Sequence, residues 1–120
     1  MDEAGRPDSG ALVEKWRSQS RKGFLDLCVL VLLAREGPSY GLDMMDRLTA
    51  AGLEVSEGTL YPLLARMTRE ETLAATWTTP ETGHPRKYYR LSPLGEGALP
   101  SLRAEYEAQI AAFRRLGGES

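Results

Sequence analysis

Apolar residues recur at helical spacing through the first part of the chain. A first helix is predicted from Leu12 onward, and residues 24–34 continue it as an element packed on several sides, because they are apolar almost all round. Gly37 and Pro38 predict its end, since glycine suits a left-handed cap and proline cannot extend a helix. The pattern therefore indicates one long helix with a buried centre.

Two shorter helices are predicted next. Ser39 suits the N-cap of a helix over residues 40–51, and Gly52 suits the left-handed position that ends it. Ser56 is the predicted N-cap of the following helix, in which Pro62 distorts the first turn without breaking the helix. This third helix carries a stripe of core positions at i, i+3, i+4 and i+7, namely Leu60, Leu63, Leu64 and Met67.

The period of the pattern then changes from helical to two. Residues 73–79 and 86–91 each alternate between two sets of side chains, and a turn rich in proline and glycine separates the two runs. Short alternating runs joined in this way predict a β-hairpin.

A last helix is predicted over residues 92–117. Ser92 and Pro93 supply its N-cap and a first-position proline, while Pro100 predicts a kink near Leu99. Its larger side chains repeat at alternating spacings of three and four, as in a heptad seam, through Leu99, Leu102, Tyr106, Gln109, Phe113 and Leu116. Such a seam is typical of a helix that pairs with another helix.

The order of these elements indicates a mainly α fold with a small β-hairpin. A tight pair of helices followed by a hairpin is the winged helix-turn-helix arrangement, in which the later helix of the pair enters the major groove of DNA. We therefore divide the chain into a disordered tail (1–11), a winged helix-turn-helix domain (12–91) and a C-terminal dimerisation helix (92–117). The tail is predicted from its glycines, its proline and its acids.

Composition excludes several classes of protein. The 120 residues include one cysteine and one histidine, too few for an internal disulfide or a Cys/His zinc cluster. The longest apolar run, residues 27–34, is far shorter than the roughly 20 residues that cross a bilayer, and the acidic N-terminus does not resemble a secretory signal. We expect a cytoplasmic protein. No nucleophile, base and orienting group stand in a recognisable arrangement, so an enzyme is not expected.

The net charge of −2 argues mildly against a nucleic-acid partner, but the distribution of charge argues the other way. Residues 15–22 hold four bases and no acid, and Arg86, Lys87 and Arg90 lie within five positions. Local charge decides what a phosphate experiences, because screening acts over about 8–10 Å. Each cluster has a second interpretation as an ordinary solvated surface.

Three stretches of the chain carry a family resemblance. They are GFLDLCVLVLLAREGPSYGLDMM, VSEGTLYPLLARM and GHPRKYYRLSPLGEGAL, and together they cover most of residues 15–105. In these motifs the chain resembles the PadR family of bacterial transcriptional regulators, in the size class with a single C-terminal helix. The resemblance implies a homodimeric repressor that binds a palindromic operator in double-stranded DNA. It also implies control by a small aromatic or drug-like effector, with no other cofactor, and a place on the nucleoid when DNA is bound.

The chain departs from the family pattern at a few positions. Glu71 and Thr72 stand where the family commonly has a glycine and an apolar residue, and because a glutamate takes a left-handed cap only at a cost, the third helix is expected to end differently. Leu42 replaces a residue that is often aromatic or polar. Pro100 interrupts a helix that the family keeps regular, which affects the expected dimer geometry.

Candidate DNA contacts cluster at the start of the third helix. Its free N–H groups, including that of Gly58, form a positive end that suits a phosphate, and the side chains of Ser56, Thr59 and Tyr61 can donate to phosphate oxygens. Ser56 also has a purely structural interpretation as a cap. Tyr40, at the start of the second helix, either donates to a phosphate or packs in the core.

Basic residues supply the second group of candidate contacts. Arg66 lies off the leucine stripe and is preferred to Arg69 for reaching the DNA backbone. His84, Arg86 and Lys87 lie at the predicted hairpin tip, where they can neutralise phosphates or enter a minor groove. The alternative is an exposed charged turn, and His84 suits a turn better than a metal site.

Aromatic and apolar residues of the first and last helices are candidates for a dimer interface or an effector site. The set is Trp16, Leu102, Tyr106, Ile110 and Phe113, and its alternative role is dimer packing without a ligand. Cys28 is expected in the core and not as a redox sensor. A second hypothesis for the whole chain is a winged-helix adapter that binds a protein partner without binding an operator, which the acidic net charge would suit.

Overall fold

The computed structural model describes residues 9–81 and 83–119. Four helices and three short strands follow one another along the chain: α1 (Ser9–Glu36), β1 (Ser39–Tyr40), α2 (Gly41–Ala50), α3 (Glu57–Arg69), β2 (Leu73–Thr78), β3 (Arg86–Leu91) and α4 (Pro93–Leu116). The predicted mainly α fold with a small hairpin is confirmed. None of the helices in the described part of the chain is long and apolar enough to cross a membrane.

Helix α1 is a single element of 28 residues. It begins at Ser9, so the predicted disordered tail is too long by residues 9–11, while residues 1–8 lie outside the described part of the chain. The helix continues through Gly23 and ends at Glu36, and the next residue, Gly37, has a φ of 81°, the left-handed conformation expected there. The N–H of Gly37 donates to the carbonyl of Leu33 at 2.9 Å, which closes the last turn.

The core lies where α1, α2 and α3 meet the sheet. The predicted stripe of α3 supplies three fully buried residues, Leu60, Leu64 and Met67, and the partly buried Leu63 packs beside them. Val29 of α1 is also fully buried against this cluster. Complete burial of such a side chain stabilises the fold by roughly 1.5–3 kcal/mol. This packing fixes the orientation of α3.

The start of α2 differs from the prediction. Ser39 is not its N-cap, because Ser39 lies in β1, paired with Tyr89 of β3, and its hydroxyl donates to the carbonyl of Gly37 at 3.0 Å. Tyr40 occupies the N-cap position in extended conformation and makes no side-chain cap. Because β1 has only two residues, no alternation of side chains could reveal it. The sheet therefore has three antiparallel strands in the order β1-β3-β2.

The end of α3 corrects a second expectation. Glu71 takes the left-handed conformation, with φ of 66°, in place of the glycine that the family resemblance implies. The N–H of Thr72 donates to the carbonyl of Met67 at 3.0 Å and that of Glu71 to Thr68 at 3.1 Å, which is a Schellman motif. The hydroxyl of Ser92 donates to the Glu71 carbonyl at 2.5 Å, so long-range hydrogen bonding holds a cap that is locally unfavourable.

Helix α4 starts as predicted. The hydroxyl of Ser92 accepts from the N–H of Gly95 at 3.0 Å, and Pro93 opens the first turn. A Cβ at Gly95 would come within 2.2 Å of the Thr72 carbonyl oxygen, so only glycine allows α4 to lie this close to the end of α3. The helix continues through Pro100 to Leu116, and a kink there stays a prediction.

Candidate nucleic-acid interface

Helix α3 turns one side to the core and the opposite side to solvent. Leu60 and Leu64 are fully buried, whereas Gly58, Pro62 and Arg69 are exposed on the side that the helical repeat of about 3.6 residues turns away from the core. In a winged helix-turn-helix this helix is the one that enters the major groove. As expected, Pro62 does not break it, since the helix runs from Glu57 to Arg69.

The first turn of α3 is open at its N-terminus. Ser56 is the N-cap residue, in extended conformation, but its side chain makes no cap and instead donates to the Thr59 hydroxyl at 3.3 Å. Within the part of the chain that the structure describes, no group bonds to the N–H of Glu57 or of Gly58. The structure therefore does not support the interpretation of Ser56 as a side-chain cap only. An uncapped helix start keeps its partial positive charge available to an anion.

Tyr61 lies in the second turn of α3, against the start of α2. A Cβ at Gly41 would come within 2.6 Å of its ring, so the contact depends on glycine at that position. Burial raises the pKa of the Tyr61 phenol, and the nearby carboxylate of Glu57 raises it further. The phenol is therefore protonated near neutral pH and can donate a hydrogen bond.

Tyr40, the N-cap residue of α2, contacts both strands of the hairpin. Its hydroxyl lies 2.9 Å from that of Thr78 in β2, and its ring centroid lies 4.7 Å from that of Tyr88 in β3. The guanidinium carbon of Arg86 stands 4.1 Å from the centroid of the same ring, a cation–π contact. Of the two roles predicted for Tyr40, these contacts favour the packed one, although its ring is half-buried and not in the core.

Lys87 lies on the opposite face of the hairpin from Arg86. It is paired across the strands with Trp77, and its ammonium nitrogen lies 5.4 Å from the centroid of the indole ring. Neither Arg86 nor Lys87 forms an ion pair with any carboxylate in the described residues. Both positive charges are therefore open to an external anion.

Four of the predicted DNA contacts line one cleft between α3 and the hairpin, which we call the wing cleft. It has a volume of about 380 Å³, and its lining comprises Tyr40, Gly41, Leu42, Tyr61, Ala65, Trp77, Arg86, Lys87 and Tyr89. Among the residues that the structure describes, no acidic one belongs to this lining. Gly58 is exposed on α3 outside the cleft, and His84 is exposed near the hairpin tip.

The remaining three predicted contacts lie on the other side of α3. Ser56, Thr59 and Arg66 line a larger groove against α1, of about 1000 Å³, which we call the α1 groove. Its other charged lining residues are the bases Arg17, Arg21 and Lys22 and the acids Glu14, Asp26 and Glu54. The predicted contacts are therefore divided between two grooves that flank the same helix.

The sequence-based preference for Arg66 over Arg69 is not supported by the geometry. Arg66 donates to the carboxylates of Asp26 at 2.6 Å and Glu70 at 2.9 Å, and the hydrogen bond to Asp26 is the main cause that raises its pKa. Asp26 lies 40 positions earlier in the chain, so no local pattern could reveal this pair. Arg69 lies on the exposed side of α3 and forms no ion pair with another described residue.

Most of the predicted dimer or effector residues also come together. Trp16, Leu102, Tyr106 and Ile110 line a groove of about 840 Å³ between α1 and α4, which we call the α4 groove. The rings of Tyr106 and Phe24 lie 5.3 Å apart within it. Phe113 does not line this groove and is 67% exposed.

Cys28, the last of the residues singled out in the sequence, lines neither the wing cleft nor the α1 groove. It is half-buried against the core, as expected, and burial raises the pKa of its thiol, which disfavours the reactive thiolate. Trp77 lines the wing cleft but was not among the residues predicted from the sequence. The alternation of side chains along the strand predicts which face Trp77 occupies, but it does not predict that the side chain is exposed.

The fold and the cleft together define a winged helix-turn-helix DNA-binding protein. The family model described as the transcriptional regulator PadR-like family matches residues 29–101. The transcriptional regulator Rv3488 of Mycobacterium tuberculosis is 33% identical over 87 residues, which cover 72% of this chain and 78% of that protein.

Two solved structures to which the chain is similar are also PadR-like regulators. A PadR-like transcription factor from Bacteroides fragilis is 38% identical, with a TM-score of 0.73, over 85% of this chain and 98% of that one. A PadR family transcriptional regulator from Eggerthella lenta is 29% identical, with a TM-score of 0.79, over 90% of this chain and 94% of that one. The chain belongs to the PadR-like family of transcriptional regulators. It is a DNA-binding regulator and not an enzyme, as predicted.

Proposed function

We propose that the chain is a homodimeric repressor that binds a palindromic DNA operator through α3 and the hairpin of β2 and β3, and that a small aromatic or drug-like effector modulates this binding. The observation that carries the proposal is the wing cleft, where Arg86 and Lys87 stand beside the exposed side of α3 without an acidic neighbour in the lining. Cations without a carboxylate partner attract phosphates most strongly.

The proposed contacts have distinct tasks. Arg86, Lys87 and Arg69 neutralise phosphates, and the open N-terminus of α3 binds a further phosphate through the N–H of Gly58. Such contacts fix the position of α3 on the duplex, while sequence is recognised by side chains of its exposed face. The net charge of −2 does not oppose this assignment, because the lining of the wing cleft itself carries two bases and no acid.

The proposal of a homodimer is supported by the ends of α1 and α4. Trp16 is 64% exposed, Phe113 67% and Leu116 89%, although large apolar side chains of this kind are usually covered. A second copy of the chain would bury them. Two copies related by a twofold axis present two recognition helices, which is the reason to expect an operator with inverted half-sites.

The proposal of an effector is supported by the α4 groove. Its aromatic lining, with Trp16 and Tyr106, suits a flat apolar molecule. A ligand there changes DNA affinity only if it binds unequally to states that differ in the spacing of the two hairpins. Packing of these rings against a second copy is the alternative use of the same surface.

Selection of bound duplexes from random DNA tests the proposal. We expect an inverted repeat, bound by two chains, with an affinity that falls by about 10³–10⁵ between 50 and 200 mM salt if roughly 6–10 phosphates are contacted. Recovery of no sequence, together with affinity that does not depend on salt, would support the protein-adapter function instead.

The oligomeric state has its own test. Phe113→Asp introduces a charge at an exposed position, so the fold of a single chain should tolerate it, whereas a dimer seam should not. We expect sedimentation to give the mass of two chains for the wild type and of one chain for the variant. Lys22→Asp, at an exposed position of α1 that does not line the α4 groove, is the control. If the wild-type protein sediments with the mass of one chain, the proposal of a homodimer is wrong.

A further inference from the structure

Trp77 lies on the inner face of the hairpin and yet is open to solvent. It shares that face of β2 with Leu73, and the partners of these two residues across the strands are Lys87 and Leu91. Leu73 is 2% exposed, whereas Trp77 is 64% exposed. The inner face of the hairpin therefore continues past the core, and at its outer end Trp77 lines the wing cleft with Tyr61 and Ala65 of α3.

The wing cleft combines apolar side chains with two positive charges. Its lining includes Trp77, Tyr61 and Ala65, which are largely apolar, and its cations are Arg86 and Lys87. No carboxylate contributes to the lining, and the volume of about 380 Å³ lies in the range of small-ligand sites. A ligand that complements this surface must present apolar faces next to negative charges.

One strand of a DNA duplex has this character, because apolar deoxyribose rings alternate with phosphates along its backbone. We propose that Trp77 is a DNA-contacting residue whose indole packs on a deoxyribose of one operator strand, while Arg86 and Lys87 neutralise the adjoining phosphates. The proposal rests on the proposed function, since it assigns a further contact to the same DNA-binding surface. The Lys87 ammonium, 5.4 Å from the indole centroid, keeps the ring and the charge together.

Fluorescence gives a direct test, because the chain contains two tryptophans. Trp16→Phe leaves Trp77 as the sole reporter, and Trp77→Phe leaves Trp16. With a duplex recovered by selection, we expect acrylamide quenching of Trp77 to fall by about twofold or more, as burial of an exposed ring requires. Quenching of Trp16, which lines the α4 groove, should not change.

Affinity for a dye-labelled duplex, measured by anisotropy, provides the second readout. Trp77→Ala should weaken binding by about tenfold or more, as truncation of a buried tryptophan anchor does at other interfaces, while Trp77→Phe should retain most of the affinity. Thr76→Ala, one residue away on the opposite face of β2, is the matched control. Circular dichroism verifies that each variant is folded.

The outcomes separate the two proposals. If the labelled duplex saturates the protein while quenching of Trp77 is unchanged, the DNA contact is wrong although the proposed function stands. Protection of Trp77 that depends on protein concentration without DNA would assign the cleft to a second copy of the chain and would also overturn the contact. If no duplex binds at any salt concentration, the proposed function fails and this inference fails with it.

Discussion

The two grooves that flank α3 differ in how their charges are used. The α1 groove has four bases in its lining, twice as many as the wing cleft, but it also has three acids, whereas the wing cleft has none. In the α1 groove Arg17 pairs with Glu14 and Arg66 with Asp26. Three of the four bases in the strongest basic run of the sequence, residues 15–22, line this partly neutralised groove. The number of bases is therefore a poor guide to a DNA-binding face, and their pairing is a better one.

The largest expected effect is the loss of the two wing-cleft cations. Arg86→Ala with Lys87→Ala removes four cations from a bound dimer, two from each chain. It should weaken operator binding by about 100-fold or more and lower the magnitude of the slope of log affinity against log salt by about 3.6, since each phosphate contact contributes about 0.9. Arg21→Ala with Lys22→Ala removes the same charge from the α1 groove. This control should change affinity by no more than about threefold. An equal loss in both double variants would abolish the distinction between the grooves.

The next effect concerns the position of the hairpin. Tyr40→Ala removes the ring that contacts Arg86 and Tyr88 and the hydroxyl that meets Thr78, so the wing cleft loses its fixed shape. We expect about tenfold weaker DNA binding, because a mobile hairpin must be ordered on binding. Tyr40→Phe keeps both ring contacts and should cost less than about threefold. Wild-type affinity in a folded Tyr40→Ala protein would show that the anchor has no role in binding.

A smaller effect is expected from a substitution in the α1 groove, where acids neutralise part of the positive charge. Asp26→Asn removes the charge that holds Arg66, which should raise low-salt, non-specific DNA affinity by up to about fivefold, in line with about 1 kcal/mol for one charge pair in water. Because both partners are partly exposed, the loss in the free energy of unfolding should stay below about 1 kcal/mol. Glu105→Gln removes a carboxylate of α4 that forms no ion pair with another described residue, and it controls for net charge. If both variants gain affinity equally, release of Arg66 is not the cause.

The smallest effect concerns the cap that ends α3, outside both grooves. Glu71→Gly relieves a left-handed conformation that costs a non-glycine residue about 1 kcal/mol, so thermal unfolding should show a gain of up to that amount. Glu71→Ala removes the same carboxylate without this relief and should show no gain. DNA affinity should be unchanged in both. A gain in the alanine variant would assign the effect to charge instead of backbone conformation.

Local patterns were enough for most of the fold. The stripe of Leu60, Leu64 and Met67, the cap at Ser92 and the alternation of the hairpin are short-range signals, and the structure follows each of them. Prediction failed where a distant partner decides the outcome. Ser39 joins a strand 50 positions away, and Glu71 keeps a left-handed cap because Ser92 bonds to it.

In the candidate site, too, prediction from the sequence failed where a residue distant in the chain decides the outcome. Arg86 and Lys87 were predicted from their bunching, and both line the wing cleft with Tyr61 and Ala65 of α3, although they lie on opposite faces of the hairpin. Arg66 was preferred to Arg69 as a backbone contact, and its pairing with Asp26 could not be predicted because Asp26 is remote in sequence. The exposure of Trp77 depends on where the hairpin passes the edge of the core, which is a property of packing and not of the strand itself.

Site-directed DNA cleavage tests most directly which groove faces the operator. In a Cys28→Ser background the chain has no other cysteine, so an iron chelate that cleaves DNA can be attached at a single engineered position, His84→Cys near the hairpin tip or Lys22→Cys in the α1 groove. We expect cleavage from position 84 at two sites related by the symmetry of the operator, and little from position 22. Strong cleavage from position 22 with none from position 84 would contradict the account.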